Sequence, residues 1–431
     1  MVGFELIAGQ PMGEGRSPRA DLRWRTRGRD CTFPHERRRS MKTNIWILIV
    51  LLGGGVVAWA SAGWRTDGTG RYPDAKPKVQ WDEKTNVAWR ADLGAWSNAT
   101  PLVVGDRVFV QVERTGIVCV NAADGKTLWR DDLGYDKLDV KMNLPRTHDD
   151  NGYSTPTPAT DGSRIYVAFG TGVVACYDLE GNRRWARFLE QPKAGWGHSS
   201  SPVVVDGKVL IGITQLFALD AEDGAEAWKA AVAASWGTPA IAKIGNESVA
   251  FMPTGQAVRV RNGKILATLP SKLEYNSPVI ADGMIFYISG ASAAYRLPEA
   301  IVGEKIDVAQ AWRAELPRER YYASPLVHDG RIYAVTRGGE LSVLDAATGK
   351  SLHSRRLIPD GRAGDNNIYS SVTLAGEHIL IGSARGVTYV LKSNATADLV
   401  GENRTEGYRG CPVFVGDTMY LRAGRFLYRI E

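Results

Sequence analysis

From about residue 86 onward the chain alternates short apolar runs with polar, Gly-containing breaks. The first clear copy shows the pattern. Residues 101–104 form an apolar run, Gly105-Asp106 a tight turn, and residues 108–112 a second run that Gly116 breaks. Residues 117–120 make a third run, Asp124-Gly125 a hairpin signal, and residues 127–130 a fourth. Runs of β-branched and aromatic residues joined by Asp-Gly turns predict an antiparallel meander of four strands. No window inside these units carries a 3.6-residue apolar period, which argues against helical repeats.

The same punctuation returns along the chain. Asp161-Gly162, Asp206-Gly207, Asp282-Gly283 and Asp329-Gly330 mark the first turn of their units; Asp223-Gly224, Asn262-Gly263 and Thr348-Gly349 mark the last. Each unit opens on a short stretch ending in Pro or its stand-in. The openers end at Pro101, Pro156, Pro202, Pro239, Pro278, Pro325, Val372 and Pro412, spaced 55, 46, 37, 39, 47, 47 and 40 residues apart. A period of this size belongs to a propeller or a solenoid, and four strands per unit select the propeller.

Closure sharpens the prediction. The final unit supplies strands at 412–415, 418–421 and 426–429 and ends at Glu431, one strand short. Trp89-Arg90-Ala91-Asp92-Leu93 repeats the fourth-strand pattern of Trp129-Arg130-Asp131-Asp132-Leu133, and Trp185 and Trp312 begin the same pattern in their units. An N-terminal strand is therefore expected to complete the last blade, leaving no free edge at the seam. The expected fold is all-β: an eight-bladed propeller of four-stranded antiparallel blades over residues 86–431. Seven blades is the alternative, because the fourth and seventh copies are the weakest.

Charge narrows the function classes. The formal net charge is +6, but residues 1–40 carry nine Arg against five Asp or Glu, and Lys42 adds one more. About +1 is left for the repeats, which offers no basic stripe for nucleic acid. Residues 1–40 are Arg- and Pro-rich and read as an extension foreign to the fold. Residues 41–62 hold a charged start, a sixteen-residue mostly apolar run and Ala60-Ser61-Ala62, the pattern of a secretory signal peptide, with an uncleaved membrane anchor as the alternative. Residues 63–85 form a lead-in segment. A periplasmic or secreted location follows, or attachment to the inner membrane facing the periplasm. Cys119, Cys176 and Cys411 read as small buried side chains.

The ends of the units carry a family resemblance. Residues 119–129 and 218–228 resemble the tryptophan-docking motif A-x-D-x-x-T-G-x-x-x-W of pyrroloquinoline-quinone (PQQ) propellers; residues 343–350 match until His353 replaces the Trp. The resemblance covers residues 64–431 and is closest to secreted PQQ-like propeller proteins of the planctomycete type. It rests also on Trp64-Arg65 with Gly68-Thr69-Gly70, on His148 before Tyr153-Ser154-Thr155-Pro156-Thr157-Pro158, and on Trp196-Gly197-His198. More distantly the chain resembles the propeller lipoprotein of the outer-membrane β-barrel assembly machine. The resemblance implies structural roles for Asn121, Trp129, Asp178, Trp185, Asp220, Trp228 and Asp345, the carboxylate or amide bonding the turn and the indole wedging between blades. It also implies an exported, non-enzymatic binding or scaffold protein without cofactor. The alternative is a PQQ-dependent alcohol or sugar dehydrogenase holding PQQ with calcium, although the adjacent cysteine pair of that class is missing.

Strand openers lie nearest a propeller's axis, so the residue three before each proline should ring one mouth of the channel. That ring reads Asn98, Tyr153, Ser199, Trp236, Tyr275, Tyr322, Tyr369 and Arg409. Such an aromatic density marks a docking surface for a peptide, glycan or ring compound, the alternative being that the rings pack between blades. His198 and Asn276, with Tyr321 and Tyr408, are expected to add hydrogen bonds. The 135–152 insertion, with Asp136, Asp139, His148, Asp149, Asp150 and Asn151, matches no known metal-ligand spacing and reads as a solvated loop. The expected partner is a protein or glycan of the cell envelope, met by a monomer.

Overall fold

The computed structural model describes residues 63–233, 235–359 and 364–431. The expectations for residues 1–40 and 41–62 lie outside them. Seven meanders follow one another in chain order, beginning with Leu102–Val104, Arg107–Val112, Gly116–Asn121 and Thr127–Asp132. The eighth blade is composite. Val413–Val415, Thr418–Ala423 and Phe426–Ile430 are completed by Val87–Asp92, with Trp89 opposite Arg429 and Asp92 opposite Phe426. The fold is thus an eight-bladed, all-β propeller closed by its N-terminal strand, and the seven-blade alternative falls.

Burial explains the strand pattern. Inner strands are enclosed on both faces, as in Val173–Asp178, which is buried throughout. Outermost strands alternate half-buried and exposed, as in Val87–Asp92, because only one side meets a neighbour. Among the described residues the apolar core consists of eight clusters, one at each blade-to-blade interface. The seam is built like the rest: Leu427 and Tyr420 of the last blade pack with Val108, Val110 and Val118 of the first.

Tryptophans peg five interfaces. The indole Nε1 of Trp89, Trp129, Trp185, Trp228 and Trp312 donates to the carbonyl of Ala122, Leu179, Ala221, Val260 and Ala346 respectively, at 2.9–3.2 Å. Each ring lies on the glycine of the next blade's last turn; a Cβ on Gly125 (φ +71°) would stand 2.7 Å from the Trp89 ring. The turns are set by side-chain oxygens: Asn121 Oδ1 accepts the Ala123 N–H, Asp220 Oδ1 that of Glu222, Asp178 Oδ1 that of Asn182 and Asp345 Oδ1 that of Thr348, each at 2.8 Å.

Where the tryptophan is missing, other groups fill the slot. Leu297, Ile301, Ile306 and Val308, from a long turn in the fifth blade, pack against Leu266 and Ala267 of the fourth. At the sixth interface, after His353, Arg355 donates to the Ala397 carbonyl at 2.7 Å. At the seventh, Gly401 stands in the strand, and Trp81 of the lead-in is buried among Phe414, Met419 and Tyr428. The backbone N–H of Trp81 donates to Asn403 Oδ1 at 2.8 Å.

The lead-in is therefore integral to the propeller. Arg71–Tyr72 adds a fifth, parallel strand inside Thr373–Ala375. Arg65 is buried at the hub, where its guanidinium donates to the carbonyls of Pro325 (3.0 Å) and Val372 (2.7 Å). Cys119, Cys176 and Cys411 are buried free thiols. No helix among the described residues is long and apolar enough to cross a membrane.

Candidate functional site

The openers converge on the axis and are tied to one another there. The Thr100 N–H donates to Thr157 Oγ1, Thr157 to Ser201 Oγ, Ser201 to Thr238 Oγ1 and Thr238 to Ser277 Oγ. Ser277 then donates to Ser324 Oγ, Ser324 to Ser371 Oγ, and Cys411 to Thr100 Oγ1. These bonds span 2.8–3.1 Å. The circle is completed by the Cys411 thiol, whose sulfur lies 3.8 Å from the Ser371 carbonyl oxygen. The residue just before each opener's closing Pro or Val thus does the tying, and six of the eight are Ser/Thr–Pro pairs, Ser371-Val372 and Cys411-Pro412 being the others.

This ring corrects the register of the second blade. Two Thr-Pro pairs stand in tandem there, and the fold uses Thr157-Pro158 rather than Thr155-Pro156, because Thr157 is the one that reaches both neighbours. Three residues before Pro158 is Thr155, so Thr155 and not Tyr153 takes the mouth position. Tyr153 instead folds beneath the insertion: its N–H donates to the Glu113 carboxylate (2.9 Å) and its hydroxyl to the Pro145 carbonyl (2.8 Å).

The mouth is a cavity of about 410 Å³ with two tiers. The upper tier is Asn98, Thr155, Ser199, Trp236, Tyr275, Tyr322, Tyr369 and Arg409; the lower is the hydroxyl-and-thiol ring, with Trp64 alongside. The aromatic residues fall on consecutive blades and stack in series. Trp236 and Tyr275 lie 5.6 Å apart at 25°, Tyr275 meets Tyr322 edge-on at 5.0 Å, and Tyr322 and Tyr369 are parallel at 4.7 Å. The Arg409 guanidinium covers Tyr369 at 4.4 Å. Much of the ring surface is spent on this belt, so the tyrosines are pre-ordered rather than free to fold over a ligand. Burial pushes the Tyr369 hydroxyl up from its ordinary range.

The opposite rim is tied by polar contacts. Arg409 pairs with Asp150 Oδ1 at 3.0 Å, which anchors the insertion to the last blade, and Asn98 Nδ2 donates to the Asp150 carbonyl at 2.9 Å. His148 stacks on Trp196 at 3.9 Å, and Trp196 is 57% exposed.

Two further predicted mouth residues lie behind the wall. Asn276 is buried and donates to the carbonyls of Ile288 (2.9 Å) and Ala323 (3.4 Å), joining two blades. His198 is buried with Nε2 unpartnered, and burial lowers its pKa to about 4. Tyr321 and Tyr408 are likewise turned inward, onto the Pro317 carbonyl and the Thr388 hydroxyl. Sequence reasoning missed Trp64, Trp196, Glu274 and Arg320 as lining residues. Trp64 is far from the openers in sequence, and the others sit beside opener positions.

Among the described residues no three His, Cys, Asp or Glu side chains gather as a cation site. Of the two lining arginines, Arg409 is already engaged with Asp150 and Arg320 donates to Tyr322.

Comparison with known proteins agrees with the propeller fold. The family model described as outer membrane protein assembly factor BamB matches residues 79–300 and 298–395. The chain is 28% identical over 290 residues to outer membrane protein assembly factor BamB of Yersinia pestis, spanning 65% of this chain and 63% of that protein. Its fold is similar to the crystal structure of BamB from Moraxella catarrhalis, with a TM-score of 0.59 at 14% identity over 80% of this chain and 96% of the other. It is also similar to quinohemoprotein alcohol dehydrogenase from Comamonas testosteroni, with a TM-score of 0.57 at 14% identity over 85% of this chain and 80% of the other. The chain belongs to the BamB family of PQQ-like propellers.

Proposed function

We propose that the chain is an exported, non-enzymatic binding propeller of the cell envelope, a scaffold that meets a protein partner with its mouth face. The observation that carries this reading is the mouth rim. Trp96 (37% exposed) and Trp196 (57%) precede two openers, and Met142 (53%) and Leu144 (38%) belong to the 135–152 insertion, whose Asp150 and Asn151 line the mouth. Large apolar side chains left in water beside a concave mouth suit protein contact. The family description supports an envelope location and a role beside other envelope proteins.

The test is a photo-crosslinking amino acid placed at Trp196 and, as control, at Val415, beside the strand-connecting turns at the other end of the blades. An envelope protein crosslinked from position 196 alone, and lost with Met142→Glu, supports the reading. Equal crosslinking from both positions, or none, sinks it.

Likeness in fold to the Comamonas enzyme keeps a dehydrogenase in view. Adding PQQ and calcium to the purified chain and following dye reduction with alcohols or aldoses is the discriminating assay. The ill-matched donor set predicts no turnover.

A further inference from the structure

Three tryptophans from distant parts of the chain, Trp64, Trp196 and Trp236, line one cavity whose lower tier is a circle of hydroxyls. We propose that this cavity binds the end of a neutral saccharide. The inference rests on the mouth being the working surface and names the chemistry that would enter it.

Charge comes first. Arg320 and Arg409 are matched by Glu274 and Asp150 on the same lining, and Asp150 is already tied to Arg409. The cavity therefore offers an ion no net attraction, and an anion would meet two carboxylates.

Hydrogen bonding comes second. Seven hydroxyl oxygens of the lower tier each accept a backbone N–H from a neighbouring blade. What each has left is its own O–H proton and one lone pair. A hydrocarbon or lipid chain seated there would strand these groups at roughly 1–3 kcal/mol each. A ligand carrying donors and acceptors on successive carbons satisfies them.

Shape comes third. One side of Trp196 is taken by His148, yet the residue is 57% exposed, and Trp236 is held by Tyr275 and by its Nε1 bond to the Gly197 carbonyl at 3.2 Å. Rigid indoles beside hydroxyls match a pyranose, which has an apolar C–H face and a polar edge. The volume of about 410 Å³ lies within the roughly 300–1,000 Å³ of small-ligand sites.

The experiment titrates the purified chain with maltotriose, cellotriose and tri-N-acetylchitotriose, reading tryptophan emission and saturation-transfer NMR. At least one is expected to saturate in the micromolar to low-millimolar range. Trp236→Ala is expected to weaken it about tenfold. Thr155→Val, at the rim and outside the hydroxyl ring, should weaken it less. Trp236→Phe keeps the packing on Tyr275 and guards against simple misfolding. No saturation by any of the three, or an affinity unchanged in both Trp236 variants, overturns the inference. So does tighter binding of trigalacturonate than of the neutral sugars. Crosslinking from position 196, run beside saccharide titration of the unsubstituted chain, separates the two readings. Partner capture without saccharide binding sinks this inference alone, and saccharide binding without capture sinks the scaffold reading alone.

Discussion

The backbone N–H of Cys411 donates to the hydroxyl of Thr100 at 2.9 Å, joining residues 311 apart in the chain. That bond closes the inner ring at the same seam where Val87–Asp92 closes the outer one. Thr100→Val keeps the shape but removes the acceptor, leaving a buried N–H unpaired. Stability should fall by about 1–3 kcal/mol, while Thr100→Ser should be close to neutral. Urea denaturation of the two variants checks this; equal midpoints would mean that the ring does not tie the seam.

The indole pegs predict a graded series. Trp312 is 7% exposed and donates to the Ala346 carbonyl at 2.9 Å. Trp312→Phe retains most of the apolar contact and should cost about 1 kcal/mol for the lost bond. Trp312→Ala should cost about 3–5 kcal/mol. A Phe variant as damaged as the Ala variant would shift the weight from packing to the hydrogen bond.

Glycine under an indole makes a cleaner comparison. Gly125 and Gly105 both hold positive φ, +71° and +59°, but an added Cβ meets the Trp89 ring only at Gly125. Both Ala variants pay the left-handed strain of about 1 kcal/mol. Only Gly125→Ala should also displace Trp89, seen as the larger loss in thermal midpoint and a change in tryptophan emission.

These pairs show what the sequence could reveal. Blade count, turns and the closing strand were readable because Asp-Gly punctuation and strand-length apolar runs are local signals, and Trp89 repeats the motif around Trp129. The register at Thr155-Pro156-Thr157-Pro158 was not, since the choice is made by hydroxyls in two other blades. Nor was the path of the lead-in that carries Trp81: a Cβ on Gly401, over 300 residues away, would stand 2.8 Å from the Val79 carbonyl oxygen, so the glycine makes room for that segment. At the mouth, the aromatic belt could be listed from opener positions, but His198 and Asn276 turn inward, an orientation that alternation between neighbouring residues sets and spacing alone cannot assign.

His198 gives stability a pH dependence. Its folded pKa of about 4 lies below the ordinary value of 6.5 because burial disfavours the imidazolium. The unfolded chain therefore binds the extra proton first. His198 costs nothing above about pH 6.5 and destabilises increasingly as pH falls toward 4, at a slope of up to about 1.4 kcal/mol per unit. Denaturation midpoints at pH 7, 5.5 and 4.5 for wild type and His198→Gln should converge or cross as the medium is acidified. A gap that stays constant across the three would show that the imidazole does not titrate in this window.

A seam made from the two distant parts of the chain also sets an order of events. Val87–Asp92 precedes its strand partner among the described residues, Phe426–Ile430, by more than 330 residues of chain. Through almost the whole of that interval the early strand has nothing to zip onto. Closure of the circle thus waits on the seven blades in between, and the unmated strand is the part most in need of a guardian until then.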